Sequence, residues 1–177
     1  MDGDERASAA YSADGIHLLR TTHQVQYQLS QMADQKANML LGITFVIFTI
    51  AVGQARAGDP QPPLLILGGA AFVAAVLTVL AVMPTTKPPP ETSPKNLLFF
   101  GVFSQIPQEE YVTALLAGLS DTQGTYEAFA RDIHQNGRVL AGKKYRLLGY
   151  AYRVLLAGLV ASLLAFLTPY GMKLAGI

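Results

Sequence analysis

Residues 37–55 read ANMLLGITFVIFTIAVGQA, nineteen consecutive positions without a charged side chain. Crossing the hydrocarbon core of a bilayer takes about 20 apolar residues at 1.5 Å each. Two further runs meet that length: Leu64 to Met83, twenty residues, and Val154 to Met172, nineteen. Three transmembrane helices are therefore expected. The whole composition agrees, since 51% of the 177 residues are apolar and only 14% charged, against about 25% charged in ordinary soluble domains. The first run does not read as a cleaved signal peptide. Thirty-six mostly polar residues precede it, and the extreme N-terminus is acidic at Asp2, Asp4 and Glu5.

Working outward from these runs, the cations set an expected orientation. The N-terminal tail carries Arg6, Arg20 and Lys36, and the connection between the second and third runs carries Lys87, Lys95, Arg131, Arg138, Lys143, Lys144, Arg146 and Arg153. The first connection has only Arg56 and the C-terminal tail only Lys173. Eleven cations against two place the N-terminus and the long connection in the cytoplasm and the C-terminus outside. The net charge of +1 supplies no basic field suited to nucleic acid. With no cysteine in the chain, disulfide scaffolds, thiolate metal sites and cysteine nucleophiles are excluded.

Upstream of the first span an uninterrupted helical pattern begins at Ile16, with neither Pro nor Gly before Gly42. Leu18, Val25, Leu29 and Met32 recur at near-heptad spacing, with Gln between them. An apolar seam of this kind needs a partner. Residues 1–13 are expected to fray. Gly58-Asp59-Pro60-Gln61-Pro62-Pro63 predicts a tight turn between the first two spans, and five prolines between 84 and 94 predict a stiff polyproline-type spacer. The run Leu97 to Phe103 is apolar but too short to span, so it docks on the cytosolic helices or lies at the membrane surface. Pro107-Gln108-Glu109-Glu110 starts a helix that runs to about Leu119. Ser120-Asp121 starts another, whose seam of Tyr126, Phe129, Ile133 and Leu140 continues into the third span. Two seams, each continuous with a span, are expected to bury one another.

The predicted fold is thus an all-α membrane protein with three transmembrane helices, the long first and last helices extending into a cytosolic helical bundle. It is read as a single domain over 1–177. A cytosolic helix lies within 1–36, spans at 37–55, 64–83 and 154–172, and a cytosolic segment with the proline-rich linker at 84–153.

Signatures of catalysis are absent. There is no phosphate-binding lysine loop, no Gly-x-Gly-x-x-Gly and no His-Glu-x-x-His, and His17, His23 and His134 do not pair at i and i+4. No enzyme and no metal site is expected. The spans hold no ionisable residue between their interfaces, which disfavours a pump or ion-coupled transporter. Small residues crowd the second span (Gly68 to Ala71, Ala74, Ala75) and dot the third (Ala157, Gly158, Ala161, Ser162, Ala165). They allow either packing of the three spans within one chain or self-association.

At the expected cytoplasmic membrane edge, Lys36 is most simply a snorkelling anchor, with a ligand contact as the alternative. Asp34 and Asn38 share a helix face and can meet a basic side chain on the approach to the third span. Lys143-Lys144-Tyr145-Arg146 has two readings. It is an inside-positive anchor, with Tyr145, Tyr150 and Tyr152 as an interfacial belt, or part of a phosphate site using Arg138, Lys143 or Lys144.

Several stretches taken in order resemble one family. Ala33-Asp34-Gln35-Lys36-Ala37-Asn38-Met39-Leu40 leads into the first span. Asn96-Leu97-Leu98-Phe99-Phe100-Gly101 is followed by Glu110-Tyr111, Asp132-Ile133 and Lys143-Lys144-Tyr145-Arg146-Leu147-Leu148. Over about residues 16 to 170 the chain resembles the transmembrane effector of Pycsar, the bacterial pyrimidine cyclic-nucleotide antiphage system. The resemblance implies a protein of the bacterial inner membrane, paired with a nucleotidyl cyclase, that responds to cyclic CMP or cyclic UMP and impairs that membrane to halt the infected cell. It implies no cofactor beyond that activating ligand. Related effectors carry a recognisable cyclic nucleotide-binding β-barrel; this sequence has none. An anionic nucleotide is then expected near the membrane, its phosphate held by Arg138, Lys143, Lys144 and Arg146, with the region of Asp34 and Lys36 adjoining the base. The lipid bilayer and further copies of the chain, as a homo-oligomer, are the other expected partners. The competing reading is a non-enzymatic membrane anchor or structural subunit for a larger cytosolic complex.

Overall fold

The computed structural model describes residues 14–58, 61–84, 96–120 and 122–174. The expectations for residues 1–13, for Asp59 and Pro60 of the first turn, for residues 85–95 of the proline-rich spacer and for Asp121 lie outside the described residues. Within them all regular structure is helical, with no strand. The helices are α1 (Gly15–Arg56), α2 (Pro62–Val82), α3 (Phe100–Phe103), α4 (Gln108–Gly118), α5 (Thr122–Val139) and α6 (Arg146–Leu174), with a π-helical segment at Leu140–Tyr145 between the last two. Three of these stretches are long and apolar enough to cross a membrane: Gly15–Arg56, Pro62–Val82 and Thr122–Pro169.

Local chemistry explains the helix ends. Beyond Arg56, the Ala57 N–H still reaches the carbonyls of Gly53 and Gln54, and Gly58 then turns left-handed at φ +88°. An L side chain there would be strained, so a glycine ends α1. Prolines at the first two positions of α2 suit a turn whose N–H groups have no partner inside the helix. At its other end Pro84 disfavours a helical Met83, whose ψ is 127°.

The chain divides into two compact units. The first contains α1 up to Leu29 together with α3, α4 and α5 up to Arg138. Here α5 meets α1 on its Gly15 and Gln26 side. A methyl group on Gly15 would run into the Tyr126 ring, and Gln26 Nε2 donates to the Ile133 carbonyl at 2.9 Å. The apolar segment from Leu97 docks within this unit, with Val102 buried and the Phe103 and Tyr111 rings 5.5 Å apart.

One expectation is corrected in this unit. The α5 seam of Tyr126, Phe129 and Ile133 is partly buried as expected, but the α1 seam is not its partner. Leu18, Val25 and Leu29 are 69, 46 and 38% exposed, and Met32, just beyond the unit, is 46% exposed. The half-buried positions of α1 are instead Ile16, Leu19, Thr22 and Gln26. The inward face of α5 carries Asp132 and Gly137 beside its apolar groups, and Gly137 lets the Gln26 amide approach closely. The mixed face of Ile16, Leu19, Thr22 and Gln26 is therefore the one that meets α5, and the apolar seam is not.

The second unit holds α1 from Ser30, α2, the π segment and α6. Its inward positions repeat at helical spacing. They are Ala33, Ala37, Leu40, Thr44 and Ala51 on α1; Gly68, Ala71, Ala74, Thr78 and Ala81 on α2; and Leu148, Ala151 and Gly158 on α6. Ala37, Leu40, Ala74, Leu148 and Ala151 form one apolar cluster. Large apolar side chains such as Phe45, Phe72, Leu156 and Leu164 face outward. Small inside and large outside is the arrangement expected in lipid, where close backbone approach holds helices together. A methyl on Gly68 would collide with Ala51, and one on Gly158 with Ala70. The small residues at these points thus pack the three helices of one chain, while Gly69, Ala157 and Ala161 stay exposed. The buried hydroxyls of Thr44 and Thr78 donate to the Leu40 and Ala74 carbonyls, so neither polar group is left unsatisfied among apolar neighbours.

The π segment lies between two buried leucines of this unit. Leu140 and Leu148 are both buried yet stand eight residues apart.

Candidate functional site

The two lysines of the basic group before the last span sit on this π turn and reach different partners. Lys144 Nζ donates to Asp34 Oδ1 and Oδ2 at 2.8 and 2.9 Å and to Ser30 Oγ at 2.9 Å. An ammonium has three hydrogens, and here each has an acceptor. The partners Ser30 and Asp34 stand one turn apart on α1, so one face of that helix receives the lysine. The side chains of Lys144 and Asp34 are 22 and 45% exposed. A pair this open to solvent is worth no more than about 1 kcal/mol. It is strong enough to set a geometry and weak enough to be exchanged for another anion. Lys143 Nζ reaches the Met83 carbonyl at 2.6 Å, at the C-terminal end of α2. Such a carbonyl has no partner within its own helix, and a cation there also complements the helix dipole.

The remaining sequence-derived candidates are placed less closely. Asn38 lies one turn beyond Asp34 and is exposed. The expected meeting of this face with a basic side chain from the approach to the third span is made by Lys144 through Asp34. Lys36 is exposed, and its carbonyl accepts a 3.3 Å hydrogen bond from the Tyr152 hydroxyl. Arg146 opens α6 with an exposed side chain, and Arg138 is exposed at the end of the first unit. The structure thus joins Lys144 to Asp34 and directs Lys143 to α2. It shows no ion pair at Lys36, Arg138 or Arg146 among the described residues.

A second polar cluster, in the first unit, escaped the sequence reading as a site. Asp132 is only 3% exposed and accepts from Asn96 Nδ2 at 3.0 Å and from Asn136 Nδ2 at 2.9 Å, with His23 Nε2 3.1 Å from Oδ2. Asn96 is equally buried. It also donates to Gln135 Oε1, and its own side-chain oxygen accepts from the Leu98 N–H. These bonds tie the start of the 96–103 segment to α5. The available signal was an acid standing among apolar residues, since Asp132 lies beside Ile133 and three positions after Phe129. Asn96 and Asp132 both belong to the stretches quoted for the family resemblance, and the structure brings them together.

Two clefts bear on ligand chemistry. One of about 720 Å³ in the second unit is lined by Ile50, Leu64, Leu67, Leu163 and Phe166 with Gln54, Gln61 and Ser162 among them, and no cation. It suits lipid chains rather than a phosphate. Another of about 270 Å³ in the first unit has Leu115, Leu119 and Phe129 as walls. Its one cation, Arg131, is paired with Glu127 at 3.4 Å. Neither cleft therefore presents a cation outside an ion pair. Among the described residues no group of three His, Asp or Glu side chains could hold a metal ion.

Comparison with curated proteins and with solved structures yields no match for this chain. Comparison with family models yields one that covers residues 17–170, described as a Pycsar effector protein domain.

Proposed function

The chain belongs to the Pycsar effector family, and from that premise we propose that it binds cyclic CMP or cyclic UMP at the π-turn lysines and in response impairs the bacterial inner membrane. Membership makes it a membrane-borne, cyclic-nucleotide-linked effector of antiphage defence, working with a cyclase rather than being one. The nucleotide, the site and the membrane response are the proposal. The observation that supports it is the exchangeable ion pair of Lys144 with Asp34 on a turn that runs straight into α6.

A cyclic phosphodiester carries one negative charge and two free oxygens, the same features that Asp34 offers to Lys144. In this reading the phosphate replaces Asp34 on Lys144, with Lys143 and Arg146 adding positive charge. The released carboxylate, with Lys36 nearby on α1, then faces the base. A ligand shifts an equilibrium only by its preference for one arrangement over the other. Here the preference arises because the phosphate removes a contact that holds α1 to the π segment. The three apolar helices are joined by close contacts between small side chains, and loosening one attachment lets them repack in the bilayer. No catalytic step is required of the protein.

The test is a titration of purified protein in detergent with cyclic CMP, cyclic UMP and cyclic AMP, following thermal unfolding. A pyrimidine nucleotide at 100 times its Kd stabilises the native state by about 2.7 kcal/mol and raises Tm; cyclic AMP does not. Lys144→Gln removes the shift without loss of helical content. If neither pyrimidine nucleotide shifts Tm, the ligand assignment is wrong. Harmless co-expression with an active cyclase would then favour the membrane-anchor reading. If Lys144→Gln shifts as the wild type does, the lysines serve topology alone.

A further inference from the structure

The apolar seam of α1 that α5 leaves uncovered has a register of its own. Leu18, Val25, Leu29 and Met32 are separated by seven, four and three residues, the d, d, a, d positions of a heptad, and the intervening a position is the half-buried Thr22 at the border with the face that meets α5. We propose that this face is a self-association surface, on which α1 of a second copy of the chain packs in parallel and in register.

Three observations select that occupant. The first is exposure. All four apolar side chains are open on a helix whose adjacent face, at Ile16, Leu19 and Gln26, is already engaged within the chain. The second is the flanks. On the open side of the seam stand Thr21, Gln28 and Gln35, none of them charged, while Leu19, Gln26 and Ala33 on the other side pack within the chain. Distinct coiled-coil partners are selected by complementary charges at these positions, and identical parallel chains are repelled by like ones. Flanks without charge leave nothing to specify a foreign helix and nothing to oppose an identical one. The third is continuity. The register runs on through Met39, Ile43, Val46 and Ile50, each more than half exposed, inside the apolar run. A helix following the seam must itself enter the membrane and project from the same side. A second copy of α1 does both, and it is parallel because identical chains insert the same way round.

Lys36 is the one charged residue in the register, at an a position on the border of the apolar run. In a parallel pair it meets its own copy. A single polar a position lowers stability and fixes register, and the long side chain can carry its ammonium outward to water. Lys36→Gln is accordingly expected to tighten the pair.

The absence of native cysteine makes the test direct. Val25→Cys and Gln31→Cys, one on the seam and one on the far side of the same helix, are expressed in bacterial membranes from two differently tagged copies and oxidised without added nucleotide. A disulfide joining both tags at position 25, with at least tenfold less at position 31, is the expected result. Leu18→Asp in the Val25→Cys background lowers the crosslinked fraction while leaving the circular dichroism melt in detergent unchanged, because Leu18 is 69% exposed in the single chain. Equal crosslinking at both positions, or none at position 25, overturns the proposal. Crosslinking that emerges only after deletion of residues 2–13 also overturns it, by showing that the chain's own N-terminal segment covers the seam. The proposal does not depend on the nucleotide reading. The crosslink requires no ligand, and the nucleotide titration requires no second copy.

Discussion

Replacing Gly158 by alanine tests the packing on which the membrane-borne unit depends. A methyl at that position collides with the side chain of Ala70 on α2. Ala70 presents a methyl fixed to its backbone, with no flexible end that could move aside, so α2 and α6 must part. Overpacking of this kind costs about 1–3 kcal/mol. The same substitution also relieves the poor helix propensity of glycine, worth about 0.5–1 kcal/mol. The net expectation is a loss of up to about 2.5 kcal/mol. Gly149→Ala is the control, because nothing lies within 4 Å of a methyl there and only the propensity gain applies. The two variants therefore move in opposite directions although the chemical change is identical. Moving the methyl, as Ala70→Gly with Gly158→Ala, should recover most of the loss, giving a coupling energy of about 0.5–3 kcal/mol in a double-mutant cycle. Unfolding by SDS in mixed micelles is a suitable assay, followed by far-UV circular dichroism and tyrosine emission, since the chain has no tryptophan. If Gly158→Ala proves as stable as Gly149→Ala, α2 and α6 do not approach at this point and the helix arrangement is wrong.

Asn96→Ala leaves the buried Asp132 carboxylate without one of its amide donors and releases the 96–98 turn. A loss of about 1–3 kcal/mol is expected, read as a lower melting temperature, whereas no loss would mean that Asn96 does not hold this turn to α5. In vesicles carrying the protein, Lys144→Gln should abolish dye release driven by a cyclic pyrimidine nucleotide. Lys143→Gln should weaken it less, because Lys144 keeps its place on α1, and equal effects would show that the ion pair with Asp34 is not the element being switched. Ala57→Cys should react with an impermeant maleimide from outside in intact spheroplasts and Leu116→Cys should not, and the reverse pattern would overturn the orientation drawn from the cation count.

Much of the helical plan was legible in the sequence because it depends on local rules. A run such as 37–55 cannot leave its backbone groups unpaired in lipid, so it must be helical wherever it packs. Gly58, Pro62 and Pro84 mark helix ends through their own backbone preferences. Even the meeting of the Asp34 face with a cation from the last helix's approach was accessible, since both stood at the expected membrane edge. The identity of that cation was not. Lys143 and Lys144 are neighbours of the same charge, and only the packing of α1 and α2 around them places one against Asp34 and the other against Met83. A period of 3.6 assumed throughout also conceals the π segment at Leu140–Tyr145.

Burial of the α1 seam was beyond the sequence for a different reason. Heptad spacing states that Leu18, Val25, Leu29 and Met32 share a face, but it carries no information about what covers that face. The choice rested on shape and hydrogen bonding between α1 and α5, at Gly15 with Tyr126 and at Gln26 with Ile133 and Gly137, residues with no apolar periodicity to announce them. The same holds for Asn96 and Asp132, 36 positions apart and useful only as a pair. Hydropathy and charge act along the chain, so sequence alone determined three helices of spanning length and the side on which cations accumulate. Which small residues touch, which lysine is paired and which seam remains open depend on distances between segments, and those only the tertiary structure decided.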